Sequence, residues 1–146
     1  MNSKEEIVKI EDVNIRYAKM KQYYLNEIKE LNKQAYKFYM DKKFELSEYY
    51  IVKELWKSEI WKKAKHIHME LNIFTYGALT CQYCKQEIEE LLLRNFQLHH
   101  KNAKYRWATL FAPEEVILIH KTCHKKLHND LKKNNNRMKK VIIENE

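Results

Sequence analysis

The chain has 146 residues and carries 28 Lys+Arg against 20 Asp+Glu, a formal net charge of +8. That length suits one domain, or one small domain with a helical extension. With one Gly (Gly77) and one Pro (Pro113) it cannot build a glycine-rich phosphate loop or a dinucleotide fingerprint, and no apolar run approaches the roughly 18 residues that cross a bilayer.

The first segment, residues 5 to about 46, reads as helix. Ile7, Ile10, Val13, Tyr17, Met20, Tyr24, Ile28, Leu31, Ala35 and Phe38 recur every three or four residues, with Lys and Glu on the other face. A break is expected near Asp41–Lys43. Such a stripe suits an amphipathic arm packed on its own domain, and it also offers a surface for a homodimer. The arm has no ligand-type cluster, so a chain starting near Ser47 is expected to keep its chemistry.

Ser47 is placed to cap a second helix running from Glu48 to about Phe74, on which Ile51, Leu55, Ile60, Ala64, Ile67 and Leu71 make the apolar stripe. Trp56 and Trp61 flank it, and His66 and His68 read as packing or surface residues. Gly77 to Cys84 is a turn, and Glu87–Arg94 a short helix or irregular link. Asn95–His100 alternates as a strand does, and residues 101–112 form a loop rich in lysine and aromatics. Val116–Ile119 is a short apolar strand or turn, and Thr122 to about Leu131 a helix. A polar, basic tail that frays follows.

Three cysteines, an odd number, argue against a disulfide framework. Cys81 and Cys84 form a C-x-x-C pair, and His120 and Cys123 repeat that spacing. Two such pairs supply four N/S ligands for a tetrahedral structural zinc, with a histidine at the fourth corner. His124 and His128 are then spare, and at i and i+4 their imidazoles share one helix face. Upstream, His99 and His100 are neighbours on a strand and point to opposite faces. One of them can join His124 and His128 on a metal while the other faces a substrate. Three imidazoles on an ion with open positions are a catalytic arrangement.

The run QLHH followed by EVILIHKTCHKKLH resembles the HNH endonucleases, and most closely the small phage-type members in which a zinc-knuckle pair frames the core. The lead-in ELWKSEIWKKAK before TCQYC resembles the Ser/Trp-containing helix that precedes the first knuckle there. The resemblance spans about residues 50–128. It implies an α+β, mainly helical fold: a ββα-metal core with a structural zinc and an N-terminal helical extension. The implied division is 1–46 as the extension, 47–131 as the nuclease domain and 132–146 as a basic flexible tail.

The resemblance also implies roles. His99 falls on a metal ligand, His100 on the general base that activates water, and His124 and His128 on the helix ligands of a catalytic ion. Cys81, Cys84, His120 and Cys123 fall on the zinc knuckles. Glu115 occupies the place of the middle Asn, which braces the loop in the family, and Lys85 follows the second cysteine where a Gly is usual. The implied activity is hydrolysis of DNA phosphodiester bonds, leaving 5′-phosphate and 3′-hydroxyl ends. Its site residues would be His100, His99, His124 and Glu115, and its catalytic ion Mn²⁺, Ni²⁺, Zn²⁺ or Mg²⁺, of which Mg²⁺ suits imidazoles least. The basic balance fits DNA as partner, with Lys101, Lys104, Arg106, Lys121, Lys125 and Lys126 available to phosphates and Tyr105 or Trp107 to a sugar or base. The polar N-terminus lacks a signal peptide's apolar core, so the expected location is cytoplasmic, in a host cell if a phage or mobile element encodes the protein. The rival reading is a non-catalytic, zinc-stabilised DNA-binding module.

Overall fold

The computed structural model describes residues 3–89, 94–102 and 104–144, and of 134–144 the backbone alone. Helix α1 (Lys4–Val8) is short, and α2 (Val13–Lys42) begins only after a break. Asp12 makes that break: its side chain accepts from the Ile15 amide at 3.0 Å and caps α2, which competes with continuing the helix. The single helix expected over residues 5–46 is therefore two. Ile7 of α1 folds back to pack with Met20 and Tyr24.

The second expected helix is also divided, into α3 (Glu48–Trp56) and α4 (Glu59–Tyr76). Ser47 stands at the start of α3 without a side-chain cap bond. Ser58 does the capping instead, accepting from the Trp61 amide at 3.4 Å and donating to the Leu55 carbonyl at 2.6 Å. Gly77 ends α4 at φ +82°, a left-handed cap that glycine adopts without strain.

Strands β1 (Phe96–His100) and β2 (Val116–His120) pair antiparallel, with Phe96 opposite His120 and His100 opposite Val116. A 3₁₀ turn, Trp107–Thr109, lies in the loop between them. Helix α5 (Lys121–Glu144) leaves β2 directly and runs well past Leu131, because no Gly or Pro follows Pro113 to stop it. The result is mainly helical α+β, with a β1–β2–α5 unit of the ββα-metal type. The part of the 87–94 link from 90 to 93 lies outside the described residues.

One core joins these elements. Ile28, Leu31 and Ala35 of α2 pack with Ile51 and Leu55 of α3, Ala64 of α4, Phe96 of β1, Leu118 and Ile119 of β2, and Leu110 and Phe111 of the loop. The apolar stripe of α2 is thus used within the chain, and the arm packs as part of the domain. None of the described helices is long and apolar enough to cross a membrane.

Candidate metal centre and histidine cleft

The first ligand cluster forms where three elements meet. Cys81 and Cys84 lie on the turn after α4, His120 ends β2 and Cys123 opens α5. The turn is tied to β2 by the Gln82 amide on the Leu118 carbonyl (2.9 Å) and the Leu118 amide on Gln82 Oε1 (2.6 Å). Nδ1 of His120 lies 3.4 Å from Cys84 Sγ and 3.7 Å from Cys123 Sγ. A tetrahedral zinc with its usual bond lengths sets such an S···N edge at about 3.6 Å, so both edges at His120 suit that ion, and all four donor atoms lie within 4.8 Å of one another. Cys81 Sγ also accepts from the amides of Cys84 (3.5 Å) and His120 (3.4 Å). Burial alone would raise that thiol, but the amides of Cys84, His120 and Tyr83 outweigh it and bring it down to about 7, toward the thiolate a metal needs. Lys85, just beyond, takes the left-handed conformation at φ +66° that the usual glycine would take freely.

The second cluster is His99, His124 and His128, whose ligand nitrogens all lie within 4.8 Å of one another. β1 presents His99 to α5, and the two α5 histidines come from successive turns. Nδ1 of His124 donates to Gln97 Oε1, which leaves Nε2 as the lone-pair nitrogen. That atom faces His128 Nε2 at 2.9 Å, a spacing that takes either a shared proton or a cation. Burial, then the imidazoles of His124 and His128, hold His99 down to about 4, so its ring is neutral at neutral pH, the form that can coordinate a metal. The donor set fits a soft or borderline divalent ion.

His100 points the other way from His99, as neighbours on a strand must. It packs against Tyr105 (4.4 Å between centroids, rings tilted by 33°) and approaches Trp61 (5.9 Å) and Phe111 (6.1 Å). Its Nε2 donates to the Leu110 carbonyl at 2.9 Å, so Nδ1 carries the lone pair. Burial lowers it to about 4, against the raising effect of that bond, which keeps the ring neutral at pH 7. Both faces meet in a cleft of about 470 Å³ lined by His99, His100, His124, His128, Tyr105, Trp56 and Trp61 among others.

Sequence reasoning missed the support behind His100. The Phe111 peptide, next to the Leu110 carbonyl, is clamped from both ends: its amide donates to buried Asn32 Oδ1 (2.7 Å), and its carbonyl accepts from buried His68 Nε2 (2.8 Å). Asn32 belongs to the arm expected to be dispensable. The only available signal was an Asn on the apolar stripe of α2, a buried amide that had to find a partner. Glu115 is buried, but not in the cleft. Its carboxylate accepts from Asn102 Nδ2 (3.0 Å) and pairs with Arg106 (3.4 Å), and its carbonyl accepts from the Lys101 amide, closing the loop at its base. Trp107, expected at a sugar or base, is buried instead. It stacks on Tyr39 at 4.7 Å and donates to Glu48 Oε1.

Residues 81–130, which hold both clusters, match the family described as HNH endonuclease. They form an HNH domain. Comparison with curated proteins and with solved structures gives no match. An HNH domain carries a nuclease or DNA-binding role, and the Cys₃His group beside it is consistent with a zinc-knuckle pair.

Proposed function

We propose that this protein is a metal-dependent HNH endonuclease that hydrolyses DNA phosphodiester bonds, acting inside the cell where DNA is met. The observation that carries this reading is His100: a neutral imidazole with Nε2 committed to the Leu110 carbonyl, in the same cleft as three convergent imidazoles. His100 Nδ1 takes a proton from water, and the oxygen so activated attacks phosphorus. The bond from phosphorus to the 3′ oxygen breaks, that oxygen takes a proton from solvent water, and His100 returns its own proton to solvent. His99, His124 and His128 would hold one divalent ion, which supplies charge stabilisation at the phosphate and leaving oxygen. Cys81, Cys84, His120 and Cys123 would hold a structural zinc. Glu115 acts as a positioning residue that fixes the loop carrying Tyr105 and Leu110.

The test is nicking of supercoiled plasmid by the full chain with Mg²⁺, Mn²⁺, Ni²⁺ or Zn²⁺ added. His100→Ala is expected to lower the rate by about 10²–10⁴ while keeping its zinc and its DNA binding. His99→Ala should lose activity through metal affinity and recover part of it with excess ion. Rescue of His100→Ala by metal, with none for His99→Ala, reverses the two roles. A wild-type protein that binds DNA and nicks with none of the four ions is the zinc-stabilised binding module instead.

A further inference from the structure

Beside the histidine cleft lies an aromatic surface that phosphodiester chemistry does not use. Tyr49, Val52, Lys53 and Trp56 occupy positions i, i+3, i+4 and i+7 of α3, so they form one stripe. Ile51 and Leu55 carry the helix's buried face, leaving Tyr49 63% and Trp56 50% exposed. With Val52 and Tyr105 they make a contiguous patch, the kind of surface that marks an interaction site where singly exposed rings do not. Lys53 sits over the Tyr49 ring at 4.6 Å from its centroid. The stripe is continuous with the cleft: Trp56 lines both the histidine cleft and a neighbouring groove with Tyr49, Val52, Lys104 and Tyr105. Trp56 also meets Trp61 edge-on at 6.5 Å, and Trp61 in turn meets His100.

The charges on this face say how it would be used. The groove is lined by one acid and one base, Glu48 and Lys104, with Lys53 over the Tyr49 ring, and Glu48 is itself engaged by the Trp107 indole. A surface this close to neutral draws little on phosphate attraction, whereas its exposed rings suit stacking, for Tyr49 on the face that Lys53 does not cover. Duplex DNA hides its base faces, and only an unpaired strand offers them. From Tyr49 to Trp56 is about 10 Å along the helix axis, the rise of roughly three stacked nucleotides.

We propose that α3 is a stacking platform for an unpaired DNA strand running out of the histidine cleft, with bases on Trp56 and Tyr49. The substrate would then be a single strand, flap or gap rather than uninterrupted duplex. This rests on the nuclease reading for its biological meaning, but its test is binding, not cleavage.

The experiment uses the full zinc-loaded chain in the His100→Ala background, at moderate salt, with a 20-nucleotide oligothymidylate and a blunt duplex of equal length as probes. Affinity is read by anisotropy of the labelled DNA, with tryptophan quenching alongside. The single strand should bind at least about tenfold more tightly than the duplex. Trp56→Ala should weaken single-strand binding by about fivefold to a hundredfold and reduce the quenching, the effect of losing one stacked base. Trp56→Phe should keep most of the affinity. Tyr49→Ala, at a more exposed position, should act in the same direction without a folding penalty, as zinc content and melting would verify. Duplex affinity should not move in any variant. Equal losses on both probes, or no loss on the single strand, would overturn the platform. So would a concentration-dependent dimer abolished by Trp56→Ala, which would make this face a self-association surface. A chain that prefers the single strand in this assay, and whose wild-type form nicks nothing with any of the four ions, would keep the platform and sink the nuclease reading.

Discussion

The two ligand clusters meet on one helix, where Cys123 and His124 are adjacent, yet they have opposite character. Around His120 the donors are enclosed: Cys81 and Cys123 are buried, four candidate ligands are present, and amides from the turn and from β2 hold the Cys81 sulfur. Around His99 there are three ligands on the wall of an open cleft, and His128 is exposed. A closed set of four leaves an ion no room for chemistry and lets it hold chain segments together. A set of three leaves positions for water and substrate. In the reading proposed above, a staple at Cys123 next to a reaction centre at His124 would also fix the register of the helix carrying His124 and His128.

The largest effect should come from breaking the closed side. Cys81→Ser should lose the zinc and, with it, the cooperative melt, since metal-binding energy in a small domain is folding energy. His128→Ala, on the open side, should keep one equivalent of zinc and melt within about 1 kcal/mol of wild type, because the removed ring is exposed. Zinc analysis and circular dichroism melts of the two variants make the comparison. A folded, zinc-free Cys81→Ser protein would erase the distinction between staple and reaction centre.

How far this was legible beforehand differs between the ligands and their supports. Spacing marks the candidates, a C-x-x-C repeated as H-x-x-C and histidines at i and i+4, whereas the choice of His99 over His100 as their companion rests on the resemblance to the HNH family alone. The breaks at Asp12 and Ser58 were less visible, since a hydrophobic stripe continues across them and only the capping geometry decides. The clamp on Phe111 was not legible at all. Asn32 and His68 reach it from 79 and 43 residues away in sequence, and nothing local marks Asn32 as the acceptor of a loop amide or His68 as the partner of a loop carbonyl. For the same reason Trp107 read as a DNA contact, although Tyr39 and Glu48 already occupy it.

A middle-sized effect should come from that clamp, and it should fall on the open side alone. Asn32→Ala leaves the buried Phe111 amide without an acceptor, worth about 1–3 kcal/mol of stability. The neighbouring Leu110 carbonyl, which orients His100, then loses part of its support. Nicking should fall by about tenfold or more, since small misplacements of a catalytic group are expensive, while zinc stoichiometry stays at one. Loss of zinc in step with activity would mean that the two sites share one support. An unchanged rate in a destabilised protein would mean that His100 holds its orientation unaided.

The smallest effect should sharpen the closed side without touching the open one. Lys85 is the one non-glycine among the described residues at positive φ, and its amide donates to the Cys81 carbonyl at 2.9 Å, so the knuckle turn needs that conformation. A side chain there costs about 1–2 kcal/mol. Lys85→Gly removes that strain but frees the unfolded chain, which returns about 0.5–1 kcal/mol of the gain. The net should be a stabilisation of about 0.5–1 kcal/mol, a rise of roughly 2–4 °C in Tm for a chain of this size. Measured in denaturant at fixed free zinc, the gain should appear as a shifted midpoint with an unchanged slope. Lys85 lies outside the cleft, so the nicking rate should stay as it is. A destabilised Lys85→Gly protein would show that the lysine stem contributes contacts worth more than the strain it imposes, and that the knuckle tolerates the missing glycine for a reason other than the energy of its turn.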